Sequence, residues 1–147
     1  MSEVNNKYKV LFVCLGNICR SPAAQGIFEH IVRENGMTEK IAADSAGLYG
    51  GHAGQHPDRR MRTAALYRGY GLTHSARQVR GYDFNDFDLI VAMDDQNYED
   101  LMHIAPSVEA THKITCSVRG FYSRKSRQSR QRHRVIFCEI RGIRVRL

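Results

Sequence analysis

Residues Val10–Ser21 have the sequence VLFVCLGNICRS, which predicts a strand, a tight loop and the start of a helix. Apolar and β-branched residues lead directly into Cys14, and five residues separate this cysteine from Arg20. A spacer of this length lets the backbone curve around a phosphate-sized anion, with Gly16 allowing the tight turn and N–H groups facing inward. The following helix adds the positive end of its dipole. We therefore expect a phosphate-binding loop.

The reactive side chains of this loop suit attack on a phosphate ester. Arg20 can bind two phosphate oxygens at once, and the positive field at the helix start favours thiolate over thiol at Cys14. A thiolate that faces a bound ester can attack phosphorus, and water can later hydrolyse the phosphocysteine. Ser21 is close enough in sequence to donate its hydroxyl to the departing thiolate. The nucleotide-binding pattern G-x-x-x-x-G-K-[ST] is missing, and nothing indicates a magnesium site.

Strand and helix patterns alternate along the chain, which predicts an α/β fold with a single four-stranded parallel sheet flanked by helices. The predicted strands are Lys9–Cys14, Ile41–Ser45, Phe87–Met93 and His112–Val118. Three helices are predicted, from Pro22 to Asn35, from Pro57-Asp58 to Tyr70, and from Asp94 to Ile104. Gly71 is expected to end the second helix, and a glycine-rich loop covers Ala46–Gly54.

Parallel sheets of this kind bind ligands at the carboxyl ends of their strands. Cys14, Ser45 and Asp94 are expected together at that edge. Asp94 and Asp95 could be considered for a general acid, but their place before a helical pattern favours a helix cap and a first-turn acid.

The whole chain has a net charge of +7. Its basic residues are concentrated at the C-terminal end. Residues 116–147 contain ten arginines and lysines against a single acid, Glu139, which leaves 12 basic and 14 acidic side chains in the first 115 residues. The body of the protein therefore has no charge signature of nucleic-acid binding.

The cysteines and the apolar runs indicate a protein of the reducing cytoplasm. The chain has four scattered cysteines, Cys14, Cys19, Cys116 and Cys138. They are too few for a disulfide framework, and the pair Cys14 and Cys19 has no matching second pair to complete a zinc site. No apolar run reaches the ~20 residues of a membrane span, and no secretory signal is visible. We expect a cytoplasmic location, no membrane span, no metal and no cofactor.

Five sequence blocks in this order resemble the low-molecular-weight protein tyrosine phosphatases. They are VCLGNICRSPAAQ, DSAG (Asp44–Gly47), HPDRR (His56–Arg60), HSARQ (His74–Gln78) and FDLIVAMDDQNY (Phe87–Tyr98). The resemblance covers residues 7–115 and implies the phosphotyrosine phosphatase I-like fold with flavodoxin-like topology. It also implies a hydrolase that dephosphorylates phosphotyrosine proteins or small aryl phosphates, with inorganic phosphate and vanadate as inhibitors.

The resemblance assigns roles to individual loop residues. Cys14 corresponds to the nucleophile and Arg20 to the ligand of the phosphate and the transition state. The cradle corresponds to the backbone of Leu15, Gly16, Asn17, Ile18, Cys19 and Arg20. The hydrogen-bond network that holds the loop corresponds to Asn17, Ser21, Ser45 and His74, and asparagine tolerates the left-handed backbone of a strained loop.

Three further residues have two interpretations each. Tyr49 or His52 would wall the pocket for an aromatic substrate, or both are ordinary loop residues. Cys19 resembles the family's second loop cysteine, which can pair with Cys14 under oxidation, or it is a small inward-facing residue.

The end of the chain departs from the family pattern. The family takes its general acid from an Asp-Pro pair after strand four, whereas the last aspartate here is Asp100 and the last proline is Pro106. The general acid is therefore unknown, and the activity is expected to be reduced. We expect residues 1–115 to form the phosphatase domain and residues 116–147 to be an aberrant, disordered basic tail, produced by a frameshift, in place of the family's closing helix.

Two other functions are compatible with parts of the sequence. Arsenate reduction uses the same loop architecture but needs additional cysteines near residues 80–95, where this chain has none. An inactive phosphate-binding or polyanion-binding module would instead use the arginine-rich segment Arg119–Arg134 to contact a nucleic acid or an anionic membrane.

Overall fold

The structure, a computed structural model, describes residues 6–117. Within this range the strands are β1 (Tyr8–Cys14), β2 (Ile41–Gly47), β3 (Leu89–Ala92) and β4 (Ile114–Cys116). The helices are α1 (Arg20–Glu34), α2 (Arg59–Tyr67), α3 (Asp83–Asp86), α4 (Asp95–Ile104) and α5 (Val108–Thr111). The strands form one parallel sheet in the order β2-β1-β3-β4. The predicted four-stranded α/β fold is confirmed.

Strand β1 lies at the centre of the core because both of its faces are apolar. Val10, Phe12 and Cys14 pack with α1 and α2 on one side of the sheet. Leu11 and Val13 are fully buried on the other side, among residues of α3, α4 and α5. Alternate residues of a strand point to opposite faces, so a continuous apolar strand is buried on both. This burial fixes the position of the loop that follows Cys14.

The carboxyl ends of β1 and β3 form the edge at which a ligand would bind. From β1 the chain passes to β2 on one side, and β3 pairs with β1 on the other side. This change of direction leaves a crevice outside the sheet. Cys14 ends β1, while Asp94 follows β3 at the same edge and is the N-cap of α4. The expected cap at Asp94 is confirmed, since its side chain accepts a hydrogen bond from Asn97 N at 2.7 Å.

Two predicted helix boundaries are wrong. Helix α2 begins at Arg59 after the N-cap Asp58 and ends at Tyr67, rather than extending to Tyr70. Gly69 adopts a φ of 87° and breaks the helical path, so the chain turns two residues before Gly71. Helix α1 begins at Arg20, two residues before Pro22, which makes the arginine part of the first turn.

The sequence patterns also mispredicted short elements. Strand β3 is Leu89–Ala92, shorter than the predicted Phe87–Met93, because Phe87 caps the unpredicted helix α3. The unpredicted α5 likewise has only four residues, too few to show helical periodicity. Strand β2 continues through Gly47, so the predicted Ala46–Gly54 loop starts only at residue 48.

Several predictions concern residues outside the described range. These are the basic tail, the replacement of the closing helix and the last residue of the predicted fourth strand, Val118. Strand β4 includes Cys116, one residue beyond the predicted domain boundary. Among residues 6–117, no helix is both long enough and apolar enough to cross a membrane.

Candidate active site

The thiol of Cys14 is buried where β1 enters the loop 14–21, which we call the phosphate loop. Cys14 is 3% exposed, and its Sγ lies 3.0 Å from Ser21 Oγ. The main-chain N–H of Asn17 also donates to Cys14 Sγ at 3.3 Å. Two hydrogen-bonding groups, one hydroxyl and one main-chain N–H, therefore lie within reach of this sulfur.

Asn17 is the centre of the buried polar network beneath the phosphate loop. Its amide nitrogen donates to Ser21 Oγ at 2.8 Å and to Ser45 Oγ at 3.0 Å. Its amide oxygen accepts from His74 Nε2 at 2.7 Å and from Arg77 N at 3.0 Å. The side chain thus makes the four hydrogen bonds of which an asparagine amide is capable. These bonds hold Asn17 at a left-handed φ of 56°.

The peptide groups of the phosphate loop are oriented by hydrogen bonds from outside it. The carbonyl oxygens of Cys14 and Leu15 accept from Leu48 N and Tyr49 N at 3.0 and 2.8 Å. The carbonyl oxygen of Ile18 accepts from the main-chain N–H of Asp58, the N-cap of α2, at 2.6 Å. In a trans peptide the N–H points opposite to the carbonyl. The N–H groups that follow these carbonyls therefore face away from the segments that hold the loop.

Gly47 lies directly against the phosphate loop, because β2 pairs with β1 up to Cys14. A Cβ atom at this position would come within 2.9 Å of Leu15 O, 3.0 Å of Gly16 C and 3.1 Å of Asn17 Cβ. Two of these three atoms are main-chain atoms, which cannot move aside as a flexible side chain could. Only glycine fits here without displacing the loop.

Arg20 is held by a carboxylate from the neighbouring strand. Its NH1 donates to Asp94 Oδ2 at 2.5 Å, and the two side chains are 26% and 35% exposed. Because Asp94 follows β3 while Arg20 follows β1, this ion pair crosses the crevice between the two strands. The expected helix cap at Asp94 therefore has a second contact that sequence reasoning did not find.

His74 is bound between Asn17 and Asp44. The Asn17 carbonyl oxygen can only accept, so His74 Nε2 carries the hydrogen of that bond. The other ring nitrogen, Nδ1, lies 3.5 Å from Asp44 Oδ1. Burial lowers the pKa of His74 from its ordinary value of 6.5; Asp44 acts in the opposite direction, and Arg77 lowers it further. The neutral imidazole is therefore the form that the folded protein favours.

The other described cysteines are free thiols. Burial raises the pKa of Cys19, and the nearby Asp58 and Cys14 add to this effect against the opposing charges of Arg60 and Arg20. Cys19 is therefore protonated at neutral pH. Cys116 is buried in β4, where its Sγ lies 3.6 Å from Asp95 Oδ1.

Two aromatic rings lie beside the phosphate loop. Tyr49 and His52 form an edge-to-face pair with 5.9 Å between ring centroids, and Tyr49 is 58% exposed. The ring of His52 approaches Gly16 closely enough that a Cβ there would lie 3.1 Å from His52 Cδ2. Both of the residues predicted as alternatives for the pocket wall are thus next to the loop. In residues 6–117, no group of three or more histidine, cysteine or acidic side chains could hold a metal ion.

Comparison with known proteins agrees with this geometry. The family model "low molecular weight phosphotyrosine protein phosphatase" matches residues 9–132. The chain belongs to this family. A Synechocystis protein named "putative low molecular weight protein-tyrosine-phosphatase" is 47% identical over 106 residues, which are 72% of this chain and 68% of the relative. The human low molecular weight phosphotyrosine protein phosphatase is 40% identical over 122 residues, covering 83% of this chain and 76% of the relative.

The fold gives the same assignment. A crystal structure of a protein tyrosine phosphatase from Entamoeba histolytica superposes with a TM-score of 0.77 at 36% identity, covering 95% of this chain and 97% of that one. The protein is therefore a cysteine-dependent low molecular weight protein tyrosine phosphatase, a hydrolase that removes phosphate from phosphotyrosine.

In this phosphatase, the residues singled out from the sequence lie together at one edge of the sheet. Asn17, Ser21, Ser45 and His74 form one hydrogen-bonded network, as the family resemblance implied. Arg20 lies at the start of α1 and Cys14 at the end of β1.

Other residues of the site were missed from the sequence. Gln25 accepts from Ser45 Oγ at 2.6 Å, and Arg77 N donates to Asn17 Oδ1 at 3.0 Å. Asp94 was expected at this edge, but its contact with Arg20 was not. Gln25, Gly47 and Arg77 fall within sequence blocks shared with the family, and that membership was the signal that could have identified them.

Proposed function

We propose that Cys14 is the nucleophile of this phosphatase. The observation that carries the proposal is the environment of its sulfur, buried at the end of β1 and within reach of Ser21 Oγ and Asn17 N. The thiolate attacks phosphorus, an S–P bond forms, and the P–O bond to the tyrosine oxygen breaks. Water then cleaves the S–P bond, releasing inorganic phosphate and regenerating the thiolate.

The main chain of the phosphate loop and Arg20 bind the phosphate group. The N–H groups of Leu15 through Arg20 form the cradle, supported by the loop carbonyls that are bonded outward. Arg20 donates to two phosphate oxygens and stabilises their charge in the transition state. Before phosphate binds, the guanidinium pairs with the Asp94 carboxylate, and the phosphate then replaces this partner.

Ser21 assists the second half of the reaction. Asn17 donates to Ser21 Oγ, so the serine hydroxyl hydrogen points to one of two acceptors, Cys14 Sγ at 3.0 Å or Ala46 O at 3.5 Å, and the contact with the sulfur is the shorter. When the S–P bond breaks, this O–H stabilises the departing thiolate. A neutral donor is suited to this step because it does not compete with Arg20 for the phosphate.

The step that releases tyrosine lacks the family's usual acid. No Asp-Pro follows β4 in the 147 residues. The two carboxylate oxygens of Asp94 already accept hydrogen bonds, Oδ2 from Arg20 and Oδ1 from Asn97 N at the cap of α4. Loss of a general acid costs about 10²–10⁴ in rate. The cost is largest for tyrosine, whose phenol has a pKa of about 10, and small for a more acidic leaving group such as nitrophenol.

Substrates are phosphotyrosine proteins and small aryl phosphates. The exposed Tyr49 ring, paired with His52 beside Gly16, supplies an aromatic wall against which a phenyl ring stacks. Inorganic phosphate and vanadate occupy the same cradle and inhibit.

We also propose that a shifted reading frame produced the end of the chain; the family model still matches through residue 132, beyond the boundary predicted at residue 115. The support is the abrupt change to arginine, serine and glutamine together with the loss of any Asp-Pro. Sequencing the coding DNA tests this proposal. Inserting or deleting one base in the DNA that encodes the end of the chain should restore an Asp-Pro in frame, and the proposal is contradicted if no such change does so.

Turnover of two substrates tests the catalytic assignment. Cys14→Ser should lower nitrophenyl phosphate hydrolysis by about 10⁴-fold or more, because the reaction loses its nucleophile. Cys116→Ser is the matched control, since it changes another buried cysteine in β4 and should retain activity. Unchanged hydrolysis by Cys14→Ser would refute the nucleophile. Wild-type protein should turn over nitrophenyl phosphate far faster than phosphotyrosine, and vanadate should inhibit both.

A further inference from the structure

Arg77 binds two carboxylates from separate parts of the chain. Its NH1 and NH2 donate to Asp83 Oδ2 and Oδ1 at 2.9 and 3.1 Å, a bidentate pair. Its Nε and NH2 also lie 3.1 and 3.0 Å from Asp44 Oδ2. Asp44 belongs to β2 and Asp83 begins α3. We call Arg77 with these two aspartates the Arg77 clamp.

The Arg77 clamp is shielded from water on its Asp83 side, whereas the side chains of Arg77 and Asp44 are 22% and 35% exposed. Asp83 is only 2% exposed, and its carboxylate also accepts from Arg80 N at 2.7 Å. Burial lowers the pKa of Arg77, but the hydrogen bonds and charges of Asp83 and Asp44 outweigh this and raise it. A planar guanidinium fits this arrangement because its donors lie in a fixed fork, which the single ammonium of lysine lacks.

The main chain of Arg77 connects the clamp to the phosphate loop. Arg77 N donates to Asn17 Oδ1 at 3.0 Å, and Arg77 O accepts from Gly47 N at 2.8 Å. Asp44 of the clamp also faces His74, the second donor to Asn17 Oδ1. Both hydrogen bonds to the Asn17 carbonyl therefore come from groups that the clamp holds.

From this arrangement we propose that Arg77 is a positioning residue for Cys14, with Asp44 and Asp83 fixing it in place. The clamp sets the position of Arg77 N and of His74, which hold Asn17 in its left-handed conformation. Asn17 N is thereby kept against Cys14 Sγ. Arg77 does not touch the substrate. The inference rests on the proposed role of Cys14.

The reactivity of the Cys14 thiol provides a readout that a purely structural role would not change. Iodoacetamide reacts with the thiolate, so the alkylation rate at pH 6 reports how well the loop stabilises that form, whereas at pH 9 a cysteine with the ordinary pKa of about 8.5 is mostly ionised. The modified peptide is followed by mass spectrometry, with vanadate protection as a check that the loop is intact.

Three variants remove the clamp to different degrees. Arg77→Met removes the guanidinium, Arg77→Lys keeps a charge without the fork, and Asp83→Asn keeps an acceptor oxygen without the charge. We expect the pH 6 alkylation rate to fall about tenfold in Arg77→Met and about three- to fivefold in the other two, with pH 9 rates within about twofold of wild type. The vanadate Kd should rise in the same order.

Two controls separate positioning from general loss of stability. Arg33→Met removes an exposed arginine of α1, and Ile114→Val loosens the core at the far strand β4. Both should keep the wild-type alkylation rate at pH 6. If Ile114→Val shows the same fall as Asp83→Asn, the effect is general softening and the proposal is wrong.

The outcomes distinguish this proposal from the catalytic assignment. Wild-type Cys14 that vanadate does not protect would overturn the assignment of the phosphate loop itself. A protected wild type with folded clamp variants that react normally would overturn only the role of Arg77. Should Arg77→Met not fold, Arg77→Lys and Asp83→Asn decide the question by the same measurement.

Discussion

The two ends of the phosphate loop are held in different ways. At the Cys14 end, Asn17 is 1% exposed and its side chain makes four hydrogen bonds to three separate segments. At the other end, Arg20 is one-quarter exposed and pairs with Asp94. Removing one partner of a buried network leaves the others without hydrogen bonds, whereas a partly exposed ion pair contributes only about 0.2–1 kcal/mol. The nucleophile is therefore rigidly placed, and the guanidinium is free to exchange a carboxylate for a phosphate.

Asn17→Ala should have the largest effect, because it removes the centre of the rigid end. We expect kcat/KM for nitrophenyl phosphate to fall about 10²–10³-fold, since a displacement of about 1 Å can itself cost 10²-fold. The unsatisfied buried partners should lower the free energy of unfolding by about 2–4 kcal/mol, measured by urea denaturation. Asn17→Gly is the control, because glycine adopts a φ of 56° without strain. An Ala variant within threefold of wild type would show that the network is not needed.

Gly47→Ala should displace the Cys14 end of the phosphate loop, because the added Cβ enters the space between β2 and the loop. The added Cβ would meet Leu15 O at 2.9 Å, so the main chain of the loop must move. We expect a fall of about 10–100-fold in kcat/KM with a weaker vanadate Kd. Gly71→Ala serves as the control because no atom lies within 4 Å of its added Cβ. Equal activity in the two variants would mean that the loop tolerates the displacement.

Asp94→Asn tests the Arg20 end of the phosphate loop. Asparagine is as good a helix cap as aspartate, so α4 should keep its stability while Arg20 loses its ion pair. We expect vanadate to bind about two- to fivefold more tightly, because Arg20 is released and a negative charge near the anion is removed. Isothermal titration would show this, and weaker binding would mean that the arginine needs Asp94 to reach the phosphate.

His74→Gln should have the smallest effect at neutral pH and a clear one in acid. The pKa of His74 is lowered by burial in the folded protein, so the unfolded chain takes up the proton first as the pH falls through 6.5. The wild type therefore loses stability below that pH, and the variant should lose less. Urea denaturation at pH 7.5 and pH 5.5 gives the comparison. An identical pH dependence in both proteins would contradict a neutral buried His74.

Local sequence was enough to predict the strand β1, the loop that follows it and the cap at Asp94. These features depend on neighbouring residues, such as the apolar run before Cys14 and the helical pattern after Asp94. The strand pattern also placed Ser45 at the ligand edge, and the family resemblance added His74, which composition and spacing alone would not have singled out.

The remaining features depend on contacts between distant segments. The Arg20–Asp94 pair requires knowing that β1 and β3 are neighbours, which no local pattern states. Arg77 itself lies in a segment without helical or strand periodicity, so its partners in the Arg77 clamp could not be assigned from the sequence. Gly69 rather than Gly71 follows the end of α2, because two glycines separated by one residue give the same signal and only the backbone conformation distinguishes them.

The partners of Asn17 also say when the site can form during folding. Its hydrogen bonds to Ser45, His74 and Arg77 join residues 28, 57 and 60 positions apart in the chain. Contacts over such separations close late, after local helices and turns have formed. A refolding chain should therefore regain helical circular dichroism before it regains protection of Cys14 by vanadate. The recovery of anion binding would then report when the tertiary structure is complete.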